Sequence, residues 1–244
     1  MIVDQKLCIG CGRCRVYCPV RAIRLENRKA VIDQDLCTEC ANCQRANICP
    51  KQALVKPALE WPRQVRSQMS DVTTVYRGVN GRGTEEMKTN DVTGRFKKGF
   101  AGIAVELGRP QVSTTMRDLE KIAMVVAAHG AEFEECNPIT SYIVDKATGK
   151  VNPEILDERV ISGIIEVTVP IERLRENVEA IIAAADQLDT VFSLDVVCVN
   201  NEDGSNDART ILDEAGIWYR PNAKNNVGLG HLDSRREKDV SYTA

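Results

Sequence analysis

Eight cysteines occupy the first fifty residues in two groups: Cys8, Cys11, Cys14 and Cys18, then Cys37, Cys40, Cys43 and Cys49. The first reads C-x2-C-x2-C-x3-C-P, and both groups close on Cys-Pro, at Pro19 and Pro50. Three thiolates spaced by two residues can wrap one face of a four-iron four-sulfur cube while the chain curls round it, and the fourth then reaches to a second cube. The spacing therefore assigns Cys8, Cys11, Cys14 and Cys49 to one cluster, and Cys37, Cys40, Cys43 and Cys18 to another. One departure stands out: five residues, Gln44 to Ile48, separate Cys43 from Cys49, where the standard run has three.

Two other chemistries use cysteine at such density. Structural zinc takes well-separated C-x2-C pairs, four ligands to a site, and the triplets leave an awkward third thiolate for that scheme. A disulfide framework needs an oxidising compartment, and the opening Met1-Ile2-Val3-Asp4 has neither the basic nor the apolar region of a signal peptide.

On these motifs, residues 1–57 resemble a bacterial-type ferredoxin with two 4Fe-4S clusters. The resemblance implies one-electron relay with those clusters as cofactors and a redox partner protein or catalytic subunit. It extends no further along the chain. Free-standing ferredoxins of this type are typically acidic, yet residues 1–56 carry ten Lys or Arg against five acids, leaving net −8 on the remainder of a chain of net −3. The arginines either neutralise thiolates and lie over the clusters, or dock the segment on an acidic surface.

With 244 residues, 43% apolar and 27% charged, the chain is long enough for two folded units. The expected division is a ferredoxin domain at 1–57, a connector and Gly/Thr-rich segment at 58–99, an α+β domain at 100–232 and a polar tail at 233–244. In the first, Ile2-Val3, 23–25, 30–32 and 53–55 read as strands, with Ile9, Val16, Ile32, Ile48 and Val55 expected to shield the clusters. Gly10 and Gly12 serve the close approach of backbone to sulfur. Pro57 and Pro62 make an extended connector, and 72–76 reads as a strand. Residues 77–98 hold Gly78, Gly81, Gly83 and Gly94 beside Arg82, Lys88 and Arg95. They form a long surface loop or an anion-binding one, without a GxGxxG or P-loop pattern.

Beyond Phe100 the period changes cleanly. Strands are expected at 101–107, 139–144, 161–169 and 191–199, and helices at 116–129, after a Thr114/Thr115 cap, and at 171–188. This β-α-β, β-α-β order is the split βαβ pattern of a ferredoxin-like α+β sandwich, extended by a helix at 207–215 and a strand at 217–219.

Among the remaining reactive side chains, His129 reads as a helix C-terminal charge, Cys198 as core, and Cys136 is flanked by carboxylates that disfavour a nucleophilic thiolate. His231 has no visible partner. No hydrolase triad or zincin motif occurs. The second half is acidic and lacks the aromatic strand motif of RNA-binding sandwiches, so nucleic acid is not expected. No apolar run approaches the ~20 residues that span a bilayer.

The leading expectation is a cytosolic electron-transfer subunit, possible as an oligomer, relaying low-potential electrons to or from a catalytic partner of an anaerobic redox system. The alternatives are a cluster-fed reductase with its own substrate site near 77–98, and a ligand-sensing regulatory protein.

Overall fold

The computed structural model describes residues 1–76, 79–80, 96–109, 112–220 and 229–230. Strand β1 (Ile2–Val3) lies at one edge of the N-terminal unit. A hairpin follows, β2 (Ile23–Glu26) and β3 (Lys29–Ile32), turned at Asn27 and Arg28, both at positive φ. A short helix α1 (Asn42–Arg45) precedes β4 (Leu54–Val55), which returns antiparallel to β1. These four short strands bury Met1, Val20, Ala22, Ile23, Ala30, Ile32, Ala53 and Leu54 around the cysteines. The expected strands are present. Two of the expected shielding residues also lie inside: Ile32 is buried, and Ile48 packs partly buried against the same cluster.

The other three face outward. Val16 is 84% exposed because it stands on a 3-10 helix, Arg13–Tyr17, whose one buried residue is Cys14. Val55 follows the inward Leu54, so strand alternation turns it outward, and Ile9 stands outward in the loop between the buried Cys8 and Gly10 at positive φ.

Next in the chain is a helix that periodicity did not reveal, α2 (Gln64–Ser70), whose Val65 and Met69 join the larger apolar cluster. Strands β5 (Val75–Tyr76) and β6 (Val79–Asn80) pair antiparallel. The strand expected at 72–76 is thus confined to its last two residues. Apart from 79–80 and 96–98, the segment 77–98 lies outside the described residues, as do His231 and the tail from 233.

The main sheet is built on β7 (Phe100–Leu107). Chain order continues through β8 (Thr114–Thr115), helix α3 (Met116–Ala128) and β9 (Glu132–Phe133), then through β10 (Ile143–Asp145), β11 (Lys150–Val151) and β12 (Arg159–Val160). After these come β13 (Gly163–Pro170), α4 (Leu174–Ala183), β14 (Val191–Cys198), α5 (Asp207–Glu214) and β15 (Leu229–Gly230). The five-stranded sheet has the order β15-β14-β7-β13-β9, and every pair is antiparallel. Strand β7 alternates: Ala101, Ile103, Val105 and Leu107 are wholly buried in one core with Leu119, Ile122 and Val126 of α3 and Leu174, Val178 and Ile181 of α4. Thr115 caps α3 by accepting from the Asp118 amide, at 3.2 Å.

Two expected strands differ. Residues 139–144 do not enter the sheet: 140–142 form a 3-10 turn and Ile143–Asp145 pairs with Lys150–Val151, while Glu132–Phe133 takes the edge beside β13. Asn137-Pro138 interrupts the extended run, and Asn137 accepts the Ile139 amide in a local turn. Residues 217–219 are irregular, although Ile217 and Tyr219 still pack on the core.

Candidate functional site

The two cysteine groups sit on backbones that repeat each other. Asp4-Gln5-Lys6-Leu7-Cys8 recurs as Asp33-Gln34-Asp35-Leu36-Cys37. Each aspartate uses Oδ1 to accept two amides, Lys6 and Leu7 in one copy and Asp35 and Leu36 in the other, and its carbonyl takes the cysteine amide at 3.0 Å in both. The second and fourth residues after Cys8, Gly10 and Gly12, have φ of 69° and 73°; their counterparts Glu39 and Ala41 have 55° and 56°. A left-handed residue is thus imposed at four points, and two of them carry side chains at a steric cost.

The Cys-Pro segments repeat as well. Cys-Pro-Val-Arg-Ala at 18–22 and Cys-Pro-Lys-Gln-Ala at 49–53 both place the fourth residue in the left-handed region. Both also direct the alanine amide at the cysteine sulfur, Ala22 N to Cys18 Sγ at 3.1 Å and Ala53 N to Cys49 Sγ at 3.3 Å. The longer run before Cys49 is absorbed by α1 and the turn after it, so Cys49 keeps the local geometry of Cys18.

Proximity sorts the thiols by space, not by sequence. Cys14 has the Cys11, Cys8 and Cys49 sulfurs around it, Cys18 has Cys40 and Cys37, and Cys43 has Cys18, Cys40 and Cys37 ahead of a weaker influence from Cys14. A recess is lined by Cys18, Cys37, Cys40 and Cys43 together with Met1, Val20, Ile23 and Ile32. Burial pushes the Cys43 thiol up to about 12, with the neighbouring sulfurs adding to it, and burial likewise raises Cys14, Cys18 and Cys37. Such thiols would not ionise by themselves at neutral pH; a polynuclear cation among them would make thiolates favourable.

The donor set fits an iron-sulfur cube. All eight cysteines are free, and Ala30 N also donates to Cys8 Sγ, at 3.3 Å. Thr38 Oγ1, buried on the wall of the recess, has no partner among the described residues and is available to a sulfide. Among the described residues no three His, Cys, Asp or Glu side chains converge where one ion could be held. Cube ligands stand further apart than that, because each thiolate binds a different iron.

Residues outside 1–57 brace this site, and sequence reasoning missed them. Arg66 of α2 donates to the carbonyls of Gln34 (2.8 Å), Asp35 (3.3 Å) and Cys37 (2.9 Å), while its Nε reaches Glu158. Arg63 pairs with the fully buried Glu39 at 2.6 Å, a carboxylate that also meets the Met1 amino group. Asp71 receives Arg45 and Lys56. Burial tends to raise the Asp71 carboxyl, but the bonds from Lys56 and Thr73 outweigh it and hold the group below its ordinary range. The available signal was Val65 and Met69, four apart, with Arg63 and Arg66 on either side of Val65.

The other candidates lie away from the cysteine quartets. His129 ends α3, with Nδ1 at 2.8 Å from the Val125 carbonyl and Gly130 following at positive φ, as a C-terminal cap requires. Cys198, partly buried, donates to Asn206 Oδ1 at 3.2 Å, and Cys136 is exposed.

Comparison with known proteins agrees with this geometry. The family described as 4Fe-4S binding domain matches residues 1–24. The ferredoxin-like protein in nif region of Sinorhizobium fredii is 42% identical over 55 residues, 21% of this chain and 86% of its own length. Ferredoxin-1 of Rhodobacter capsulatus is 37% identical over 62 residues, 24% of this chain and 95% of its own. A subunit of the ion-translocating oxidoreductase complex of Methanosarcina acetivorans is 47% identical over 47 residues, 19% of this chain, which spans only 17% of that relative. No solved structure matches. The N-terminal segment is therefore an iron-sulfur domain of ferredoxin type. Through it, the chain belongs to the 4Fe-4S ferredoxin family.

Proposed function

We propose that the protein is a two-cluster electron-transfer subunit that passes single electrons to or from a catalytic partner. In this reading Cys8, Cys11, Cys14 and Cys49 hold one 4Fe-4S cluster and Cys18, Cys37, Cys40 and Cys43 the other. The observation that carries it is the spatial sorting of the thiols, which crosses the sequence motifs as two facing clusters require. Bound in these quartets, each cluster would supply a one-electron couple.

The chain's own part is to set the surroundings. The amides of Ala22, Ala30 and Ala53 point at sulfur and favour added negative charge, while Val20, Ile23 and Ile32 exclude water beside the second quartet. The two quartets differ in access: Cys11 is exposed, whereas Cys37, Cys40 and Cys43 are buried.

Residues 100–232 are read as a ferredoxin-like sandwich that supports the relay and meets the partner. Supporting this are the chain order β7-α3-β9-β13-α4-β14 and the spatial order β14-β7-β13-β9, together the arrangement of a split βαβ fold. The division 1–57, 58–99, 100–232 and 233–244 goes with it, with α2 packed in the larger apolar cluster and hydrogen-bonded through Arg66 to the second cysteine loop. A relative named as belonging to an ion-translocating oxidoreductase complex supports a role within an assembly, and among the described residues no helix is long and apolar enough to cross a membrane. A cytosolic, anaerobic setting with low-potential electrons is part of the proposal.

Anaerobic reductive titration followed by electron paramagnetic resonance tests it. Uptake of about two electrons per chain, one for each cluster, with magnetic coupling between the two reduced centres, is the expected result. A protein that accepts no electrons, or shows an isolated single centre, would refute it.

A further inference from the structure

The ten basic side chains of residues 1–56 fall into two sets. Arg24, Lys29, Arg45 and Lys56 are held by carboxylates or carbonyls, and Arg21 also has a partner. Lys6, Arg13, Arg15, Arg28 and Lys51 are all exposed, and none makes a side-chain hydrogen bond or ion pair with any described residue. The second set belongs to one place. Lys6, Arg13 and Arg15 are interleaved with Cys8, Cys11 and Cys14, Lys51 follows Cys49-Pro50, and the Arg28 backbone packs against Gly10.

Apolar side chains are exposed in the same loops. Leu7 (47%), Ile9 (58%), Val16 (84%) and Tyr17 (47%) flank the exposed Cys11. Scattered single apolar residues on a surface need no explanation, but four within eleven residues, beside the one exposed thiol of the eight and amid unpaired cations, have the composition of an interface: apolar centre, charged rim. Of the braced cations, Lys29 is tied to the Gln5 and Cys8 carbonyls within the first loop, whereas Arg45 and Lys56 meet Asp71, and Arg63 and Arg66 at the start of α2 hold the second loop.

We propose that the face around Cys8, Cys11, Cys14 and Cys49 is the port of the relay, and that its occupant is a separate electron-transfer protein presenting an apolar spot ringed by Asp and Glu. This rests on the relay reading above. Charge selects the partner's sign: five cations without a partner among the described residues lie on or against the loops that carry the quartet, whereas the rest of the chain carries net −8 and would repel an acidic partner elsewhere. The inner quartet, packed toward α2, is then the second station, and electrons enter or leave through the outer one.

The test uses the full-length protein with clusters reconstituted anaerobically, and flavodoxin, an acidic electron carrier, as the probe, with basic cytochrome c as its opposite. Flavodoxin should bind at low ionic strength and progressively less as salt rises. Arg13→Glu/Arg15→Glu should weaken binding about tenfold or more, as loss of rim charges does, and Lys51→Glu should weaken it independently. Lys146→Glu, a control on an exposed hairpin turn of the main domain, should leave it unchanged. Carbodiimide cross-links should map to Lys6 and Lys51.

Equal binding by wild type and both port variants, preference for cytochrome c, or salt-labile self-association in place of flavodoxin binding would overturn the port. Iron content and reducibility of the wild type, measured on the same samples, judge the relay separately. A protein that loads and reduces normally while binding without regard to charge loses only the port.

Discussion

At the scale of single residues, the cysteine positions were legible because thiolate spacing is a chemical constraint that no packing detail alters. The crossed assignment predicts that Cys18→Ala removes the spectroscopic signal of the cluster served by Cys37, Cys40 and Cys43 and leaves the other largely intact. Selective loss of the cluster served by Cys8, Cys11 and Cys14 would contradict it. The two glycines between those ligands separate by space. A Cβ on Gly10 would lie 2.0 Å from the Arg28 carbonyl oxygen, whereas one on Gly12 meets only Leu25 Cδ1, at 3.4 Å. Ala41 already occupies the counterpart of Gly12 at φ 56°. Gly12→Ala should therefore cost about 1–2 kcal/mol, the left-handed penalty alone, and retain iron. Gly10→Ala should release iron to a chelator much faster. Similar release from both variants would mean that crowding at Gly10 does not matter. What could not be read at this scale was exposure: Ile9 and Val16 are apolar by type, but the loop geometry turns them outward.

At the scale of elements, strong periodicity was reliable and short irregular stretches were not. β7, β13 and β14 and the helices after Thr115 and Pro170 follow from alternation and from a cap. Helix α2 was hidden because it is seven residues long with only two large apolar side chains among polar ones, and Glu132–Phe133 replaced 139–144 at the sheet edge because Asn137-Pro138 favours a turn. The consequence of α2 is mechanical, since Arg66 joins the second cysteine loop to Glu158. Arg66→Ala should cost about 3–5 kcal/mol, as removal of one partner of a buried ion pair does. It should also speed iron loss from the inner quartet before the outer; loss in the opposite order would deny α2 this role. Asp71 adds a dependence on pH. Its carboxyl is held below the ordinary 3.8, so its contribution is complete above that pH and is withdrawn as pH falls through the lowered value. The stability difference between wild type and Asp71→Asn should therefore be constant from neutrality down to about 3.8 and shrink below it. A difference that fades in the neutral range would point to another group.

At the scale of the whole molecule, the sequence separated a cysteine-rich head from an acidic α+β body, and the structure joins them through α2 and not by an extended linker alone. The charge asymmetry gains meaning from pairing: the cations beside α2 are neutralised, whereas Lys6, Arg13, Arg15, Arg28 and Lys51 have no side-chain partner among the described residues and, in the port proposal, serve an incoming protein. The relay and its port both depend on two clusters being present in one chain. Iron and acid-labile sulfide, determined on anaerobically prepared full-length protein, measure this most directly. The account predicts about eight of each per chain, from eight thiolates at four per cube. About four of each, with stoichiometric zinc in the other quartet, would contradict it.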